Sequence, residues 1–168
     1  MSTGKFIVAA LFSCAVTLAS PASADEITKA AALFAENCVS KLPNMRGVQA
    51  KVAETVQTQF GGNGIHSEGR TTYSGNLRGA SIFYQSSAVT KTGFNICKVS
   101  VNRVDQQKAI QALLNAFTEN APRGVKLVEA QDPYGLVFYR KITGTAHTMT
   151  LEANTGRKKS AFILIAWK

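Results

Sequence analysis

A pair of cysteines, Cys38 and Cys97, restricts the fold of this chain more than any other feature of the sequence. They are the two that remain after removal of the predicted N-terminal signal peptide, which carries the third cysteine, Cys14. In an oxidising compartment, such a pair typically forms a structural disulfide, which stabilises the fold by closing a loop in the unfolded chain. The spacing is not that of a CxxC redox or metal site, and no histidine is close to either cysteine in the sequence. We therefore predict a Cys38–Cys97 disulfide.

The oxidising compartment is inferred from the N-terminus, which has the three parts of a secretory signal peptide. Lys5 supplies a positive charge, an apolar stretch follows over residues 6–19, and Ala22-Ser23-Ala24 supplies small residues for cleavage. The apolar stretch has 14 residues, fewer than the roughly 20 that cross a bilayer. We predict cleavage after Ala24, with residues 1–24 as the signal peptide and no integral membrane segment afterwards.

A lipoprotein signal is the alternative interpretation of this segment, because Leu11-Phe12-Ser13-Cys14 is similar to a lipobox. Phe12 argues against it, since such boxes require a small residue at that position. No twin-arginine pair precedes the apolar stretch, which indicates export by the general route. We expect a periplasmic or secreted product.

Apolar residues recur at helical spacing in three segments. The first runs from about 26 to 40 and carries Cys38 on its buried face. The second has Asn44 as its N-cap and ends before the glycines of residues 61–64, and the third is capped by Asp105. Three helices are therefore predicted.

Six further segments are short and rich in β-branched or aromatic residues, which is typical of strands. They cover residues 79–86, 94–101, 125–130, 135–143, 146–152 and 160–167. The order α-α-β-β-α-β-β-β-β predicts a single α+β domain over residues 25–168, with a mainly antiparallel sheet and the helices packed on one face. No internal repeat is visible, and only the glycine-rich stretch 60–79 is expected to be loose.

Strand alternation assigns the two faces of the predicted sheet. If Cys97 points at the helix that carries Cys38, then Val99 and Val101 point the same way. Phe94, Ile96, Lys98 and Ser100 then lie on the opposite face, which mixes apolar and basic groups. The final strand is apolar on both phases, so we expect it to be central or covered on both sides.

Basic residues outnumber acidic ones by 19 to 10, for a net charge of +9. Residues 61–104 hold five bases and one acid, and residues 132–168 hold six bases and two acids. The candidate anion-binding residues are Arg157, Lys158 and Lys159, at the tip of a predicted hairpin, and Lys98. A solvated surface whose charge only prevents aggregation is the alternative interpretation.

Two histidines, His66 and His147, are the candidate general bases. His66 lies in a predicted loop beside Ser67 and Glu68, but the members of a triad normally converge from separate elements. His147 lies in a predicted strand of threonines, where a hydrogen-bonding role is expected. No paired acids and no metal, cofactor or nucleophile motif occur, so no catalytic residue, metal or cofactor is predicted.

The segments Phe34-Ala35-Glu36-Asn37-Cys38 and Ile96-Cys97-Lys98-Val99 place one cysteine at the end of a short helix and the other in a strand. With the signal peptide and an amphipathic helix before a C-terminal sheet, this layout resembles small exported proteins of unknown function from Gram-negative α-proteobacteria. The resemblance implies a periplasmic location and brings no active site.

The function expected from the sequence is non-enzymatic binding of an anionic envelope component or an acidic protein. Two alternatives stay open: an envelope hydrolase that uses His66 or His147 with a distant carboxylate, and an accessory subunit of a secretion or surface complex. A nucleic-acid partner is not expected, because export separates the protein from the DNA and RNA of the cell. The sequence does not indicate the oligomeric state.

Overall fold

The computed structural model describes residues 21–77, 79–88, 93–102, 104–133, 135–136, 138–155 and 159–167. The predicted α+β class is confirmed, because the described residues form helices on one face of an antiparallel sheet. Residues 1–20 of the predicted signal peptide lie outside the described residues, as do Arg157 and Lys158.

Three α-helices form the helical layer: α1 (Pro21–Phe34), which continues as a π-helical segment (Ala35–Val39), α2 (Met45–Phe60) and α3 (Gln106–Asn120). The two predicted N-caps are confirmed. The Asn44 side chain accepts hydrogen bonds from the first turn of α2, and the Asp105 side chain accepts one from the first turn of α3. Within the described part of the chain, no helix has the length and apolar character needed to cross a membrane.

The sheet has eight strands: β1 (Ile65–Ser67), β2 (Arg70–Leu77), β3 (Ala80–Ser87), β4 (Phe94–Asn102), β5 (Lys126–Glu129), β6 (Phe138–Thr143), β7 (Thr148–Thr155) and β8 (Lys159–Trp167). Their order across the sheet is β1-β2-β3-β4-β8-β7-β6-β5, and all neighbours are antiparallel. The last strand is therefore central, as its apolar character on both phases predicted.

The two halves of the chain repeat one architecture. Each half begins with helical structure and continues as a four-stranded meander, β1 to β4 in the first half and β5 to β8 in the second. The final strands of the two meanders, β4 and β8, are nine residues long and pair with each other at the centre of the sheet. No repeat was visible in the sequence, because a meander depends on alternation and turns and not on residue identity.

The predicted disulfide is present between Cys38 and Cys97, whose Cα atoms are 5.7 Å apart. Both side chains are fully buried, and the bond joins the π-helical segment to β4. Val99 and Val101 point into the core beside Cys97, as predicted. The core lies between this face of the sheet and the helices.

The stretch 60–79 is not loose, and this prediction was wrong. It forms β1 and β2, which pair with each other and extend the sheet beyond β3. Its glycines allow close packing: a Cβ atom added at Gly75 would lie 2.5 Å from Cγ of Phe60, and one at Gly64 would overlap the ring of Tyr73. Glycine often indicates a loop, but here it leaves room for aromatic rings.

Candidate functional site

The face of the sheet that points away from the helices, called the helix-free face below, carries the surface predicted from charge. Strand register assigns its side chains, because residues directly opposite in neighbouring strands lie on the same face. One row crosses all eight strands in the order Ile65, Thr72, Gln85, Ile96, Ile165, Thr150, Lys141 and Val128. An adjacent row contains Phe83, Lys98, Ile163, Glu152 and Tyr139.

The centre of the helix-free face is apolar. Ile96 in β4 and Ile163 and Ile165 in β8 are half-buried and lie outside the core that the helices cover. At the two edges of the sheet, Ile65 is 67 % exposed and Val128 is 39 % exposed. Among the side chains that the structure describes, these two are the exposed large apolar ones, and both lie on this face.

Basic side chains lie within this apolar centre and around it. Lys98 lies between Phe83 and Ile163 and is half-exposed, whereas Lys141 is exposed on β6. Neither lysine forms an ion pair with a described carboxylate. Arg70 and Lys126 belong to the same face by register and are exposed nearer its edges. The face therefore presents positive charge that no described acid neutralises.

The acid on the strands of this face is Glu152, and it is buried. Its side chain is 7 % exposed, and its Oε1 accepts a 3.0 Å hydrogen bond from the Thr150 hydroxyl. Burial raises the pKa of Glu152, and the nearby negative charge of Asp132 raises it further. Glu152 therefore takes up its proton at a higher pH than an exposed glutamate does.

Of the four predicted anion-binding residues, the structure describes the side chain of Lys98 and places it on the predicted face. Lys159 is the first residue of β8, and its backbone lies opposite Asn102 of β4. Along β8 it is four positions from Ile163, which lies opposite Lys98. That separation corresponds to about 13 Å along the strand. Arg157 and Lys158 lie outside the described residues, and the side chain of Lys159 is not described.

No known family, curated protein or solved structure matches this chain. What the site can do is therefore inferred from its own residues.

The histidines of the hydrolase alternative lie elsewhere. His66 is in β1, not in a loop, where its Nδ1 is 3.2 Å from the Thr71 hydroxyl and its ring packs edge-on against Tyr73. His147 is exposed in the turn just before β7, not within a strand. In this turn the Thr145 hydroxyl donates a hydrogen bond to the His147 carbonyl oxygen, and β7 begins one residue later.

Neither histidine is paired with an acid in the described part of the chain. His147 lines a cavity beside the start of α2, and none of the described residues that line this cavity is aspartate or glutamate. The described residues also contain no group of three potential metal ligands. The residues that the structure describes therefore offer no histidine–carboxylate pair on which to base a hydrolytic mechanism.

Sequence reasoning missed Ile65, Val128 and Glu152 as parts of the helix-free face. Ile65 was missed with the whole of β1. Glu152 had a readable signal, since it stands between Leu151 and Ala153 in an apolar strand, where a lone acid must be buried or face the opposite side. Its burial on the helix-free face could be recognised only from the register with β6 and β8.

Proposed function

We propose that this protein is exported and acts without catalysis, by binding an anionic amphiphile of the cell envelope on the helix-free face. The observation that carries the proposal is the combination, on one face, of an apolar centre with lysines that have no acidic partner among the described residues. An anionic lipid or glycolipid has the matching chemistry, because it joins acyl chains to a negative headgroup.

Each part of the surface has a separate role in this interaction. The isoleucines of β4 and β8 contact the apolar part of the ligand, and burying them gains about 25 cal/mol per Å². Lys98 and Lys141 reach the headgroup while their alkyl chains stay against the sheet. A basic residue near an anionic membrane surface contributes about 1 kcal/mol to binding.

The sequence adds a basic run to this proposal. Arg157, Lys158 and Lys159 carry three consecutive positive charges, and the last of them begins β8. Together with Lys98 they are the residues that we expect to meet negative headgroups. Export and cleavage after Ala24 place the protein in the compartment where such lipids and glycolipids are accessible.

The proposal is tested by sedimenting the exported protein with vesicles. Vesicles that contain phosphatidylglycerol should bind the protein at about 0.05 M salt and release it at about 0.5 M, because screening shortens the reach of exposed charges. Vesicles of phosphatidylcholine alone should bind it weakly at both salt concentrations. Replacing Arg157, Lys158 and Lys159 together by serine should weaken binding, and circular dichroism should show that the variant is folded.

Two results would contradict the proposal. Equal binding to anionic and neutral vesicles would show that charge plays no part. Absence of vesicle binding, together with salt-insensitive capture of an envelope protein, would favour the alternative of an accessory subunit in a protein complex.

A further inference from the structure

A second site lies on the helix side of the sheet, in a cavity of about 430 Å³ beside the start of α2. This volume is within the range of small-molecule sites, roughly 300–1,000 Å³. The polar residues that line it include Asn44, Arg46, Gln49, Tyr84, Asn95 and His147. They come from the beginning of α2, the middle of β3, the start of β4 and the turn before β7.

Asn95 is the residue whose hydrogen bonding indicates that the cavity holds a ligand. Its side chain is only 6 % exposed and lines the cavity. The amide oxygen accepts a 3.0 Å hydrogen bond from the Tyr84 hydroxyl, whereas the amide nitrogen has no hydrogen-bond partner among the described residues. Buried donors are almost always paired, so an unpaired one at a cavity wall calls for an acceptor inside the cavity.

Tyr84 holds Asn95 in this orientation. The phenol is fully buried, and burial raises its pKa far above the ordinary value of 10.0, so it remains a hydrogen-bond donor at neutral pH. The hydroxyl has one hydrogen, and its shorter contact is the 3.0 Å bond to the amide oxygen of Asn95, whereas the backbone carbonyl oxygen of Met45 lies 3.4 Å away. With its oxygen facing Tyr84, Asn95 leaves its amide nitrogen for the cavity.

The electrostatics of the cavity select a negative ligand. The 16-residue helix α2 directs its positive N-terminal end toward the cavity. Arg46, in the first turn of α2, is exposed and forms no ion pair with any described residue. The described lining contains no carboxylate that would repel an anion.

We propose that this cavity binds a small organic anion through its carboxylate or phosphate group. Arg46 supplies the formal charge and, when the group is planar, two parallel hydrogen bonds. The amide nitrogen of Asn95 donates a hydrogen bond from the cavity wall, and Met45 and Ala166 contact the apolar part of the ligand. The site is independent of the helix-free face, because α2 packs on the opposite side of the sheet.

The experiment is calorimetric titration of the protein with succinate and, separately, with inorganic phosphate, at constant ionic strength. The two probes distinguish a carboxylate site from a phosphate site. At least one probe should bind with a dissociation constant below about 1 mM, and Arg46→Gln should weaken that binding about tenfold or more. Arg123→Gln is the matched control, because Arg123 is exposed in the connection between α3 and β5, outside the described lining of this cavity.

Asn95→Asp is the sharper variant, because it keeps an oxygen for Tyr84 but replaces the cavity donor with an acceptor. It should abolish binding of the same probe. If this variant does not fold, the binding affinity of Arg46→Gln tests the proposal instead. Arg46 is exposed in the first turn of α2, so its replacement leaves the core intact. Absence of binding for both probes, or unchanged affinity in Arg46→Gln, would overturn the proposal.

Discussion

The hydroxyl of Thr55 in α2 donates a 2.7 Å hydrogen bond to the side-chain oxygen of Asn37 in the π-helical segment. Both side chains are almost fully buried, and the amide nitrogen of Asn37 donates to the Leu33 carbonyl oxygen at 2.9 Å. Asn37 directly precedes Cys38, so one short segment is joined to α2 by a hydrogen bond and to β4 by a disulfide. The hydrogen bond joins two parts of the helical layer to each other, and the disulfide joins that layer to the sheet.

Replacing Thr55 by valine tests the hydrogen bond. The substitution keeps the shape of the side chain but leaves a buried amide oxygen without a donor, which should lower the free energy of unfolding by about 1–3 kcal/mol. Urea denaturation measures the change. Thr58→Val is the control, because the Thr58 hydroxyl is exposed and bonds only the carbonyl oxygen of Glu54 in its own helix; a loss as large in this variant would contradict the assignment.

Replacing Cys38 by serine should lower the free energy of unfolding by roughly 2–5 kcal/mol, and Cys97→Ser should do the same. The double variant should cost about as much as either single one, because each change breaks the same bond. Thiol labelling of the unreduced, denatured protein should find no free cysteine after signal removal. Wild-type stability in both single variants would show that the disulfide does not stabilise the fold.

Replacing Gly75 by alanine should destabilise the protein by about 1–3 kcal/mol, because the new methyl group overlaps the Phe60 ring. Thermal unfolding measures the loss. Gly47→Ala in α2 is the control: its added Cβ lies 3.4 Å from the nearest atom, and alanine favours the helix by roughly 0.5–1 kcal/mol. If Gly75→Ala is as stable as Gly47→Ala, the close contact between β2 and α2 is wrong.

Helix caps, strand alternation and the disulfide could be predicted because each depends on residues that are close in sequence or on a single pair. Asn44 and Asp105 are examples, since a cap requires only the first turn of its own helix. The strand β2 could not be predicted in this way. Gly75 signals a loop when read alone, and its role becomes visible only when Phe60 packs on it.

The candidate sites were predictable to different degrees. Lys98 was assigned to the face opposite the helices, because alternation from Cys97 is enough to place it. The cavity beside α2 was not predicted, because it brings Arg46 and Asn95 together from a helix and a strand about 50 positions apart in the sequence. No pattern in the local sequence predicts that these residues line one cavity, because their proximity depends on where α2 packs on the sheet.

Glu152 should make stability depend on pH. Because its pKa is raised in the folded protein, the folded state binds this proton more tightly than the unfolded chain does. The stabilisation by protonated Glu152 is fully present at pH values below the ordinary glutamate pKa of 4.5. It is lost as the pH rises through the higher pKa of Glu152 in the folded protein. Glu152→Gln should therefore be more stable than the wild type near pH 7, and the difference should shrink toward about pH 4.

Chemical denaturation of both proteins across this pH range measures the difference. Glu119→Gln is the control, because Glu119 is exposed in α3 and its substitution should change stability little at any pH. If the difference in the free energy of unfolding between Glu152→Gln and the wild type does not vary with pH, burial of the charged carboxylate does not cause that difference.

The central claim, that the helix-free face binds an anionic amphiphile, is tested most directly by comparing Arg140 and Lys141. These neighbours in β6 point to opposite faces: Lys141 is exposed on the helix-free face, whereas Arg140 lies over the Phe138 ring at 4.9 Å and pairs with Glu129 at 3.4 Å on the other side. Either change to serine removes one positive charge, so the two variants have the same net charge.

The deciding measurement is the affinity of Lys141→Ser and Arg140→Ser for phosphatidylglycerol vesicles at low salt, with circular dichroism to verify that both variants are folded. Lys141→Ser should bind about five times more weakly than the wild type, which corresponds to about 1 kcal/mol per basic residue near an anionic surface. Arg140→Ser should bind as the wild type does. Equal weakening in both variants, or weakening in Arg140→Ser alone, would contradict binding on the helix-free face.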